Sequence, residues 1–125
     1  MNFKIEEFNS KDGAVMPEVV IENIKELMKN LQVLRDFYNK PITINSGYRS
    51  PEHNKKIGGV QNSQHVLGKA ADIVVKGEDP ADVARTIEML IRQGKMKQGG
   101  VGRYRNFIHY DIGYNGKKRR WIGSY

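Results

Sequence analysis

The chain contains no cysteine. Disulfides, thiolate metal sites and a thiol nucleophile are therefore excluded, and any metal must be held by His, Asp or Glu. Histidine is scarce too, with three in 125 residues, so where each one stands is informative. No stretch approaches the roughly 20 consecutive apolar residues that a membrane helix requires. The opening run MNFKIEEFNSKDG lacks a basic region followed by an apolar one, so no export signal is expected in it and the chain is expected to be cytoplasmic as synthesised. There is no internal repeat and no low-complexity segment. A single domain over residues 1–125, and a monomer, is the simplest expectation for this length.

Charge is what the sequence has in excess. The formal net charge of +7 favours a polyanionic partner such as nucleic acid, an acidic lipid surface or an anionic cell-wall polymer. The densest basic run, GKKRRW from Gly116 to Trp121, is short and adjoins a strand-like end. It reads as solvated surface ahead of a nucleic-acid patch.

Apolar positions Val20, Ile24, Leu27, Met28, Leu31, Leu34 and Phe37 recur at intervals of three and four, which predicts an amphipathic helix from about Pro17 to Tyr38. A second long helix should start after Asp79 as N-cap with Pro80 in its first position, and end near Gly94. PITIN alternates as a strand and is followed by a turn and a short helix beginning near Pro51. GGVGRY, NFIHYDIG and RRWIG read as short antiparallel strands. The predicted class is α+β, with helices on one face of a small antiparallel sheet and a polar site on the other.

That site is expected from two stretches. In NSQHVLGKAAD, His65 and Asp72 are seven apart, a spacing that would align them on a helix. Gly68 and the strand-like AADIVV argue instead for His65 on a loop and Asp72 on the following strand, with Ala70 leaving space beside the site. In FIHYDIG, alternation puts Phe107, His109 and Asp111 on one face and Ile108, Tyr110 and Ile112 on the other. If this strand neighbours the one carrying Asp72, then His65, Asp72 and His109 converge as two imidazoles and a carboxylate. Three protein ligands with a fourth position open is the arrangement of catalytic zinc.

SGYRSPEHN, GGVQNSQHVLGKAADI and GVGRYRNFIHYDIG resemble the three blocks of the peptidase M15 family, zinc D-Ala-D-Ala carboxypeptidases and related murein endopeptidases. The resemblance runs from about residue 42 to the C-terminus, and NFKIEEF is similar to the family's opening segment. It implies the fold shared with the hedgehog signalling domain, one zinc ion, and hydrolysis of a peptide bond in the stem of peptidoglycan. By the same resemblance, His65, Asp72 and His109 are the metal ligands, Arg49 grips a substrate carboxylate or the developing oxyanion with two donors, and Ser63 orients substrate. His-x-Asp departs from the Glu-x-x-His or His-x-His of better-known branches. Either His109 binds zinc and Asp111 is the general base, or Asp111 completes the metal shell and His109 handles protons. Neutral imidazole is the commoner ligand, which favours the first. His53 lies outside the motif and reads as a helix-surface residue.

Two other function classes compete with the enzyme. One is a zinc-containing, non-catalytic wall-binding module of the same fold, since fold alone does not guarantee catalysis. The other, a nucleic-acid binder, ranks behind both. A lysis enzyme of phage or prophage type, an endolysin-like protein released to the wall, would fit the expectation that no export signal is present.

Overall fold

The computed structural model describes residues 1–123. A short 3-10 helix at Ile5–Phe8, not evident from the sequence pattern, precedes α1 (Glu18–Tyr38), β1 (Ile42–Ser46), α2 (Pro51–Lys56), β2 (Ala70–Val75), α3 (Pro80–Arg92), β3 (Gly100–Arg103), β4 (Ile108–Asp111) and β5 (Arg119–Ile122). The five strands form one sheet in the order β1-β2-β4-β3-β5. No helix among the described residues is long and apolar enough to cross a membrane.

The α+β class is as predicted, and one feature of the sheet is corrected. Three of its ladders are antiparallel, but β3 and β5 run parallel. The sequence pattern cannot distinguish the two, because alternation has period two in either direction.

Strand alternation separates the two faces of the sheet. Ile42, Ile44, Ala71, Ile73, Val75, Val101, Ile108 and Tyr110 point into one core with Val20, Ile24, Leu27, Leu31 and Leu34 of α1 and Val83, Ile87 and Leu90 of α3. Each fully buried Leu or Ile contributes about 1.5–3 kcal/mol, so this face supplies most of the stability. Phe37, expected in the apolar stripe of α1, is 52% exposed instead; it lies in the last turn and stacks edge-on against Tyr38. Asp79 caps α3 by accepting the backbone N–H of Ala81, as its place before Pro80 predicts.

The other face carries polar residues in two rows. Ser46, Asp72, His109, Gly102 and Trp121 are successive partners across β1, β2, β4, β3 and β5. One step along the ladder, Ala70, Asp111, Gly100 and Arg119 do the same. The turn carrying His65 is pressed onto α1 at Gly68, which has φ +74 and where a Cβ would come within 2.8 Å of Val20 Cγ1. Only glycine meets both demands.

The basic run is also corrected. Lys117 and Lys118 are exposed, but Arg119 pairs with Asp111 and Arg120 with Glu88 of α3. Half of the run is therefore built into the fold.

Candidate metal centre

Asp72 is the meeting point of the polar face. Its Oδ1 lies 3.3 Å from Nε2 of His65 and 3.1 Å from Nδ1 of His109. One ligand atom from each of the three residues lies within 4.8 Å of the others, and all three residues are buried. Ligand atoms about 2.0–2.1 Å from a tetrahedral zinc stand about 3.3–3.4 Å apart, so the two short edges match such a site.

Each ring is fixed from behind. Nδ1 of His65 is 2.8 Å from the carbonyl oxygen of Gly47. A carbonyl can only accept, so the proton is on Nδ1 and the lone pair of Nε2 faces Asp72. Nε2 of His109 is 2.7 Å from Oδ2 of Asp111, and donation to that carboxylate leaves Nδ1 of His109 facing Asp72. The two histidines thus present opposite nitrogens. The result is two neutral nitrogen donors and one carboxylate oxygen, with outer partners orienting both rings, a donor set that fits zinc.

The electrostatics agree with that arrangement. Burial opposes ionisation of Asp72, but the imidazoles of His109 and His65 beside it outweigh burial and hold its carboxyl well below the usual range. Burial lowers the pKa of His65 despite Asp72 beside it. Burial would lower that of His109 as well, but Asp111 and Asp72 on either side raise it.

Arg49, on the turn after β1, directs Nη2 to Oδ2 of Asp72 at 3.4 Å, Nη1 to Oδ1 of Asn54 at 3.3 Å and Nε to Oγ of Ser46 at 3.3 Å. Its backbone N–H donates to the carbonyl of His65 at 3.1 Å, which ties the two loops together. It lines a cavity of about 320 Å³ with His65, Asp72, His109, Tyr104 and Trp121. Ser63 also lines this cavity, and its Oγ accepts the backbone N–H of His65 at 3.2 Å. Its hydroxyl is thus engaged in shaping the His65 turn.

Asp111 is the most enclosed of the polar residues. Its side chain is fully buried; Oδ2 accepts from His109, and Oδ1 accepts from the backbone N–H of Gly100 at 2.9 Å and from Arg119. The carboxylate stands behind the His109 ring, on the side away from Nδ1. Asp111 also lines the cavity, and its contact with Nε2 of His109 places it where it can orient that ring. Burial alone would raise its pKa, but His109 and then Arg119 keep it ionised. His53 lies in α2, away from this group, as expected, and its backbone N–H donates to Oγ of Ser50.

Among the residues of the site that were not anticipated are Asn54, Arg119 and Trp121. The Trp121 ring is 5.0 Å from that of His109, and its Nε1 donates to the hydroxyl of Tyr104 at 3.0 Å. The only sequence signal was the shared two-residue spacing of Gly100 and Gly102, His109 and Asp111, and Arg119 and Trp121.

Comparison with known proteins gives the same direction. A family profile described as Peptidase M15 matches residues 1–111. The chain is 37% identical over 79 residues to a zinc D-Ala-D-Ala carboxypeptidase of Streptomyces albus G, covering 58% of this chain and 31% of that protein. It is 33% identical over 108 residues to a probable peptidoglycan L,D-endopeptidase, MepK, of Haemophilus influenzae, covering 81% of this chain and 53% of that protein. The chain thus spans about a third and about half of these two relatives.

Proposed function

The chain belongs to the peptidase M15 family, and from that premise we propose that it is a zinc-dependent peptidase hydrolysing a peptide bond in peptidoglycan stem peptides, of carboxypeptidase or endopeptidase type. The observation that carries this reading is the convergence of His65 Nε2, Asp72 Oδ1 and His109 Nδ1 in a cavity that also holds Arg49.

In this reading His65, Asp72 and His109 hold the metal. Bound zinc supplies a Lewis acid and brings the pKa of its water toward about 7. The rest is done by the chain's own groups. Gly47 and Asp111 keep the two rings in the tautomers that present a lone pair, so no ring has to reorganise when the site fills. Arg49, permanently charged and already anchored by Asp72 and Asn54, presents its guanidinium at the cavity and grips a substrate carboxylate or the oxyanion that develops on the scissile carbonyl. Ser63 and Gly68 hold the turn on which His65 is mounted. The net charge of +7 suits an anionic wall polymer.

A second reading, a zinc-holding wall-binding module without catalysis, draws on one observation. The two carboxylates lining the cavity, Asp72 and Asp111, are both engaged by neighbouring side chains. The deciding experiment is mass spectrometry of purified peptidoglycan fragments incubated with the zinc-loaded protein. New fragments that disappear on chelation support the peptidase and identify the bond cut. Retention of the protein on wall material with no new fragment supports the module.

A further inference from the structure

Arg119 lies beyond the residues that the family profile matches, on the edge strand β5, yet its side chain reaches the back of the metal centre. The path is set by register. Gly100 of β3 is the partner of Asp111 on one side and of Arg119 on the other. A Cβ on Gly100 would lie 2.3 Å from Oδ2 of Asp111 and 2.9 Å from Nη2 of Arg119. Because position 100 has no side chain, the guanidinium crosses over β3 and meets the carboxylate two strands away.

The contact differs from the arginine pairs elsewhere on the surface. Asp111 has no exposed surface, and the Arg119 side chain is 28% exposed. Nη2 of Arg119 donates to Oδ1 of Asp111, and the guanidinium lies 5.9 Å from the Trp121 ring. Among the described residues, Nε of Arg119 is buried without a hydrogen-bond partner. An arginine held with an unsatisfied N–H has a cost, and the compensating contact is the charged pair with Asp111. Oδ2 of that same carboxylate receives the Nε2–H of His109.

We propose that Arg119 is a positioning residue for the metal centre: across the gap left by Gly100 it holds the buried Asp111 carboxylate in the orientation that takes the Nε2–H of His109, committing His109 to ligation through Nδ1. Without Arg119, Oδ1 keeps, among the described residues, only the Gly100 N–H. The carboxylate is then free to rotate about its last torsion and the His109 ring loses its fixed tautomer. Outer partners of ligating histidines are worth about 10–100-fold in metal affinity.

This inference rests on the proposed metal centre, and the test separates the two. Zinc affinity is measured by chelator competition for wild type, Arg119→Gln and Arg119→Lys, with thermal unfolding as a check on folding. Imidazole 15N spectra of the zinc-loaded proteins report the His109 tautomer. Arg119→Gln should bind zinc about 10–100-fold more weakly and lose the sharp Nε2–H signal of His109, and Arg119→Lys, which keeps a cation for Asp111, should recover most of both. An Arg119→Gln protein with wild-type zinc affinity and an unchanged His109 signal would overturn the proposal. So would a wild-type His109 carrying its proton on Nδ1, a result that stands even if Arg119→Gln does not fold. Failure of the wild type to bind zinc at all is a separate outcome, and it sinks the metal-centre reading on which this one depends.

Discussion

Asp72 and His109 are direct partners across the antiparallel β2–β4 ladder, and Oδ1 of Asp72 stands 3.1 Å from Nδ1 of His109. Cross-strand partners keep their Cβ atoms about 4.5–5.5 Å apart whatever the loops do, so two of the three candidate ligands are held by sheet geometry. His65 alone comes from a loop, and that loop is fixed by Ser63, Gly47 and the contact of Gly68 with α1. A site mounted this way is preformed, from which several outcomes follow.

Zinc should bind at one ion per chain and raise thermal stability. A ligand that binds only the folded state stabilises by about 4 kcal/mol when present at a thousand times its dissociation constant. Metal analysis by mass spectrometry together with melting curves, with and without chelator, measures both. His65→Ala and His109→Ala should each lose most of the metal, since two protein ligands rarely hold the ion against water. Full metal content in both variants would remove these residues from the site.

Asp111→Asn tests the two roles open to that carboxylate. As the orienting partner of His109, its loss should weaken zinc binding by about 10–100-fold, because the amide no longer carries the charge that holds both His109 and Arg119. As a general base, its loss should leave zinc affinity intact and lower turnover by about 10²–10⁴-fold. Measuring zinc affinity and rate on the same preparation at saturating zinc separates the two. The fully buried, triply engaged carboxylate predicts the first.

Arg49→Lys should keep zinc and lose turnover on a wall substrate. An ammonium cannot hold Asp72 and Asn54 while also presenting a planar pair of donors to a carboxylate or oxyanion. The comparison is kcat/KM against metal content; wild-type rates would exclude Arg49 from the reaction.

Asp12 gives a pH-dependent outcome away from the metal. Hydrogen bonds from Ser10, Ser50 and the backbone N–H of Ala14 lower its pKa from 3.8 to about 2. A carboxyl lowered on folding stabilises the folded state above its unfolded pKa, and that contribution is lost as pH falls through the folded value. Asp12→Asn should therefore be less stable than wild type at neutral pH, with the gap closing between about pH 4 and pH 2. Denaturant melts of both proteins across that range supply the measurement, and a gap independent of pH would show that the Asp12 charge has no part. Since Ser50 caps α2, next to Arg49, this contact also braces the turn that carries the arginine.

Local pattern alone determined which residues share a face. The three-and-four spacing of Val20 to Leu34 specified α1, the Asp79 and Pro80 pair specified where α3 begins, and alternation in FIHYDIG put His109 and Asp111 together on the polar side. The resemblance of the histidine and arginine motifs to a known family supplied the chemistry to look for. Tertiary structure decided what each polar group faces. Pairing β4 between β2 and β3 turned one face of His109 toward Asp72 and left Asp111 behind the ring, and the parallel β3–β5 ladder brought Arg119 and Trp121 over two glycines to the same spot. Strand order is set by contacts between residues far apart in the chain, and a period of two carries no information about which strand lies alongside. For that reason the sequence could place Asp111 on the right face and still leave its role, ligand, base or orienting partner, to the packing around it.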